Sequence, residues 1–161
     1  MHTYEREILH ALPGVVDADI CAVVQSDALG ELPPEVTALV RSVSAGARRA
    51  LASLRGFGPC DLVHGLDVDL PFRPMAPTVA TVHDLAVFDA PWAFSARKAA
   101  GERLLVARVM RHADAIIAVS SFTADRIRTR FGRDSVVVHE APSPDLHPPD
   151  DQEIASVRTH F

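Results

Sequence analysis

The 161 residues include only two cysteines, Cys21 and Cys60, each in or beside an apolar run. So few thiols exclude a disulfide-stapled fold, and two idle reduced thiols in a cytosolic protein are the preferred reading over a single disulfide. No stretch approaches the roughly 18 consecutive apolar residues that a membrane-spanning helix needs. The opening MHTYEREILHAL lacks the basic start and apolar core of a signal peptide, so the cytoplasm is the expected compartment. Neither a GxGxxG turn nor a GxxxxGK(S/T) loop occurs, which weighs against an unrelated nucleotide-binding protein. There is no internal repeat and no low-complexity tract. A net charge of −5 gives no reason to expect nucleic acid as a partner. With 48% hydrophobic and 23% charged residues, the composition is that of one packed domain, with or without a short tail.

What is there is a succession of short apolar segments. Tyr4 to Leu12 has helical spacing, with Tyr4, Ile8, Leu9 and Leu12 on one face, and Pro13-Gly14 ends it. Asp19 to Val24 is nearly continuous in apolar residues, which predicts a strand covered on both faces. Leu32 to Leu54 predicts a helix: Pro33-Pro34-Glu35 suits a first turn, and Val36, Leu39, Val40 and Val43 follow at helical spacing. Ser42, Ser44 and Gly46 weaken its middle. Asp61 to His64 reads as a short strand, Gly65 to Pro77 as a loop, and Thr78 to Val82 as a strand ending at His83-Asp84. Ser95 caps a helix running to about His112, and Ala115 to Val119 is the next strand. Ser121 to Phe131 is a helix closed by Gly132, Ser135 to Val138 is the last strand, and Ala141 to Pro149 is a proline-rich linker. Apolar strands alternating with helices predict an α/β fold, a Rossmann-like open parallel sheet with helices on both faces.

Ligands of such sheets bind beyond the carboxyl ends of the strands. Three polar groups stand there. His83 follows one strand and is a side chain suited to proton traffic near neutral pH; the plainer alternative is a histidine that ties down a loop. Asp84 beside it is read chiefly as orienting or capping that loop. His64 occupies the same kind of position one strand earlier, with loop packing as its alternative. Ser120 and Ser121 open a helix whose free N–H groups suit a phosphate or sugar oxygen, although capping alone is the preferred reading. His64, His83 and Asp84 have the ligand types of a metal site, but nothing in their spacing demands one, and no metal or cofactor is assigned. Residues 97–133 carry nine cations (Arg97, Lys98, Arg103, Arg108, Arg111, Arg126, Arg128, Arg130, Arg133) against Glu102, Asp114 and Asp125. That asymmetry suits an anionic membrane surface, or simply a solvated helix.

The order TVHDL, Pro91, HADAIIAVSSF and a Val-rich strand before a proline-containing linker resembles the N-terminal domain of GT-B glycosyltransferases, specifically glycosyltransferase family 4. The resemblance covers about Asp61 to Pro149. It implies transfer of a sugar from a nucleotide-sugar donor to an acceptor hydroxyl of a glycan, lipid or small molecule. It places His83 next to the transferred sugar or the acceptor hydroxyl as the catalytic residue and His64 along the acceptor cleft, while Asp84, Ser120 and Ser121 are substrate-binding candidates by their own positions at the strand ends. A non-catalytic binding or regulatory module derived from such a domain is the alternative. By the same resemblance residues 1–149 form the acceptor-side domain, with the first strand and its glycine-rich turn absent, and 150–161 are a linker or the start of a donor-binding domain. The resemblance breaks at VVVHEAPSPDLHPP, where many members have an Asn-Gly-Val-Asp turn.

Overall fold

Two parallel sheets carry the structure. β1 (Cys21–Val24) pairs with β2 (Thr37–Val40), while β3 (Val63–Gly65), β4 (Thr78–Val82), β5 (Ala115–Ala118) and β6 (Val136–Val137) lie side by side in that order. The helices are α1 (Thr3–Ala11), α2 (Ala86–Asp89), α3 (Ala96–His112), α4 (Ser121–Phe131) and α5 (Asp151–His160). The computed structural model describes residues 3–41, 58–72, 74–143, 146 and 148–160. The α/β class read from the alternation of strands and helices is the class observed.

The main core lies where α3 and α4 cover the larger sheet. Val106, Val109, Met110 and Ala113 recur at helical spacing along α3 and its end, and they meet Ala80 and Val82 of β4, Ile116 and Ala118 of β5, and Ile127 of α4. Thr78, Ala80, Thr81 and Val82 are all essentially inaccessible, as befits a central parallel strand. A second cluster joins Leu9 of α1 to Ala22, Val24, Ala28 and Val36, with Leu66 packed against it.

Local chemistry ends the helices where the residue types demand. The Ser95 hydroxyl accepts the Lys98 N–H at 3.4 Å, and the Ser120 hydroxyl accepts the Thr123 N–H at 3.1 Å. Gly132 ends α4 at φ 64°, a left-handed conformation that favours glycine. Arg133 then donates to the carbonyls of Met110 at 2.6 Å and Ala113 at 2.7 Å, satisfying the carboxyl end of α3. Asp114 accepts the Thr78 N–H at 2.7 Å and its hydroxyl at 3.0 Å. Those bonds hold its carboxyl below the usual carboxylate range and pin β4 to β5 at their amino ends.

Two expectations need correction. The predicted helix from Leu32 opens instead as strand β2, and its remainder from Ser42 to Leu54 lies outside the described residues. Val36, Leu39 and Val40 fit a helix in spacing, but β-branched Val36, Thr37 and Val40 favour extended backbone, and β1 offers a ladder from Cys21↔Thr37 to Val24↔Val40. Burial in β1 alternates, with Ala22 and Val24 buried and Cys21 and Val23 exposed, so one face is uncovered where both were expected to be covered. Among the described residues β1 and β3 are not paired, so the parallel array lies in two parts, β1-β2 and β3-β4-β5-β6. Helix α5 presents Asp151 through Thr159 to solvent and adds nothing to either cluster.

Candidate functional site

The register of β4 against β5 brings their carboxyl ends level, with Val82 opposite Ala118. His83 therefore leaves the sheet beside Val119, one residue before Ser120. A relay of hydroxyls ties His83 to Ser120: Ser120 Oγ donates to Thr123 Oγ1 at 3.0 Å, and Thr123 Oγ1 donates to the His83 carbonyl at 3.1 Å. Thr123 is buried, so the backbone of His83 is anchored to the first turn of α4.

The His83 ring is held from three sides. Its Nε2 lies 3.0 Å from the Leu66 carbonyl oxygen, and its Nδ1 lies 2.8 Å from Oε1 of Glu140. The Tyr4 ring stands edge-on to it with centroids 4.7 Å apart. A third of the His83 side chain and nearly half of the Glu140 side chain are exposed, so the pair borders solvent. A second knot lies beneath: Thr81 Oγ1 meets His64 Nε2 at 3.0 Å and the Tyr4 hydroxyl at 3.3 Å. Burial lowers the pKa of His64 and favours its neutral ring.

Of the five residues singled out, the structure joins His83 and Ser120 through Thr123, and links His64 to the same region through Thr81 and Tyr4. Asp84 turns away to accept the Ala86 N–H at 2.7 Å, the loop-orienting role. Ser120 is the N-cap of α4, with its hydroxyl committed to Thr123. Ser121, the first residue of α4, is exposed and outside these knots. Glu140, Tyr4 and Leu66 did not stand out in the sequence. For Glu140 a signal existed, because it lies three residues past β6, at the same end of the sheet as His83. Leu66 acts through a carbonyl that any residue would supply.

The basic stretch is in large part the fold's own fastening. Arg103 donates to the Val87 carbonyl, Arg108 to those of Leu70 and Pro71, and Arg133 to those of Met110 and Ala113. Arg126 pairs with Asp89, Arg128 with Asp134, and Arg130 lies over the Phe88 ring. The Arg126 guanidinium holds the Asp89 carboxyl below the usual range. Arg108 also secures the loop after Leu66 by stacking on Phe72.

An open depression of about 390 Å³ lies elsewhere, beside the amino end of β1, lined by Pro13, Val16, Asp17, Ala18, Asp19, Ile20 and Glu35. It contains none of the residues above. Ligands of open parallel sheets bind at the other strand ends, so the His83 region is the candidate. Among the described residues no group of three or more His, Cys, Asp or Glu side chains is placed to hold a metal ion. No helix among them is long and apolar enough to cross a membrane.

No curated protein and no solved structure gives a significant match to the chain. Residues 12–142 match Glycosyltransferase Family 4, a span that takes in β1 to β6, His64, His83, Ser120 and Glu140. With well over half of its length matched and a parallel α/β fold whose strand ends carry these groups, the chain belongs to Glycosyltransferase Family 4.

Proposed function

We propose that residues 1–149 form the acceptor side of a site that transfers a sugar from a nucleotide-sugar donor to an acceptor hydroxyl. The observation that carries this reading is the meeting of His83 and Glu140 at the ends of β4 and β6, 2.8 Å apart and bordering solvent. A carboxylate held at a rigid strand end suits hydroxyl-rich ligands, whose hydroxyls can donate to it. Family membership supports transfer chemistry in general.

The departing nucleotide diphosphate requires positive groups or helix N-termini to stabilise its charge. Among the described residues few are available, because most cations of 97–133 are committed within the fold. The donor is therefore held chiefly by groups outside residues 1–149. The acceptor is a glycan, a lipid or a small molecule; a lipid acceptor would bring residues 97–133 to a membrane surface.

Titrating the 161-residue chain with sugar nucleotides and with glycan and lipid acceptors tests the reading. Acceptor binding without turnover is the expected result. Turnover by this chain alone would overturn the assignment of the donor side elsewhere, and failure to bind any acceptor would overturn the acceptor role.

A further inference from the structure

The hydrogen-bond partners of His83 decide what its ring can do. The Leu66 carbonyl oxygen and the Glu140 carboxylate oxygen both accept and never donate. For the 3.0 Å and 2.8 Å contacts to be hydrogen bonds together, Nε2 and Nδ1 must each carry hydrogen. A ring clamped in this way has no lone pair with which to take a proton from a ligand, and both of its donors are engaged. Glu140 is different. Only its Oε1 is used, and Oε2 makes no hydrogen bond among the described residues.

We propose that Glu140, rather than His83, is the residue of this pair that contacts the ligand: Oε2 accepts the hydrogen of an acceptor hydroxyl, while His83 is a positioning residue that holds Oε1. The inference rests on the acceptor-side reading above and names the atom that would serve it. A carboxylate held at one oxygen retains acceptor capacity at the other. The clamp keeps that oxygen in one place. Leu66 is set by β3 and by Gly65, and the His83 backbone is set by Thr123. Tyr4 supports the ring edge.

Two variants separate holding from contacting. In E140A nothing accepts at Nδ1, so a histidine ring ¹⁵N–¹H spectrum should lose the exchange-protected Nδ1–H signal of His83 and keep the Nε2–H signal. In E140Q the amide oxygen still accepts from Nδ1, but the atom facing the ligand becomes an N–H₂ donor. Both ring signals should persist while binding of methyl glucoside or methyl mannoside, followed by amide shifts, weakens about tenfold, the effect of about 1.4 kcal/mol. Glu140 is surface-exposed, and the amide spectra will show that each variant keeps the fold. A wild-type spectrum with a bare Nδ1 overturns the proposal regardless of any ligand. Equal binding by wild type and E140Q overturns this assignment alone, whereas a wild-type protein that binds neither glycoside overturns the acceptor reading together with it.

Discussion

The Tyr4 ring meets the His83 imidazole edge-on, at 4.7 Å between centroids and 86° between planes, while its hydroxyl reaches Thr81 two residues deeper in the strand. Helix α1 is thus fastened to the larger sheet at its amino end and to the smaller cluster through Leu9. The site residue His83 is supported by the same side chain that helps to span the two sheets.

Tyr4→Phe keeps the edge contact and loses the bond to Thr81, whose hydroxyl retains His64. A cost of about 1 kcal/mol is expected. Tyr4→Ala loses the ring as well, adding about 0.5–1.5 kcal/mol for the aromatic contact and more for lost packing. Urea unfolding of the two variants measures the difference. Indistinguishable midpoints would mean that α1 does not brace this region.

Gly65 stands where the chain approaches itself closely. A Cβ there would lie 2.8 Å from the Asp69 carbonyl oxygen and 2.9 Å from that of Asp67. Both are backbone atoms, so the loop after β3 must shift. Gly65→Ala should cost about 1–3 kcal/mol and, because Leu66 is its neighbour, should perturb the His83 Nε2–H resonance. A stable variant with that resonance unmoved would contradict the coupling.

His64 makes stability depend on pH in a definite direction. Its folded pKa lies below the ordinary histidine value of about 6.5 because of burial. As pH falls through that value the unfolded chain takes up a proton and the folded chain does not. Stability is therefore whole above about 6.5, declines as pH falls toward the lowered folded value, and is constant in this contribution below it. His64→Gln should flatten that segment of the stability curve, measured by unfolding between pH 7.5 and about 5. An unchanged slope would mean that His64 titrates alike in both states.

Arg133 closes the carboxyl end of α3 with two charge-assisted bonds to the carbonyls of Met110 and Ala113. Arg133→Ala should cost about 2 kcal/mol, and Arg133→Lys should recover only part, because an ammonium does not reproduce the forked geometry. Thermal unfolding of both checks the order wild type, Lys, Ala. Full recovery by lysine would show that charge alone matters there.

Much of this arrangement was legible in the sequence. Ser95 and Ser120 as caps, Gly132 as the stop of α4, and Thr78–Val82 and Ala115–Val119 as strands all follow from local chemistry, which acts within a few residues and leaves its mark in residue type. Strand β2 was misread because Val36 to Val40 is too short for its period to separate helix from strand, and only the partner β1 decides it. The polar ends of β4 and β5 could be found because each follows an apolar run. Glu140 lay in view after the last strand, but its 57-residue separation from His83 hid their contact.

The sequence by itself determined the class of fold, the capping of the helices and the residues that stand at the ends of strands, since all of these arise from neighbours along the chain. Tertiary structure alone decided what those residues do there. Register brings His83 to the end of the sheet beside Val119 and next to the start of α4, the loop after β3 offers the Leu66 carbonyl, and the segment after β6 delivers Glu140 to Nδ1. Hydrogen-bonding roles depend on which distant atoms come within about 3 Å, and that proximity is set by packing and strand pairing rather than by any local pattern.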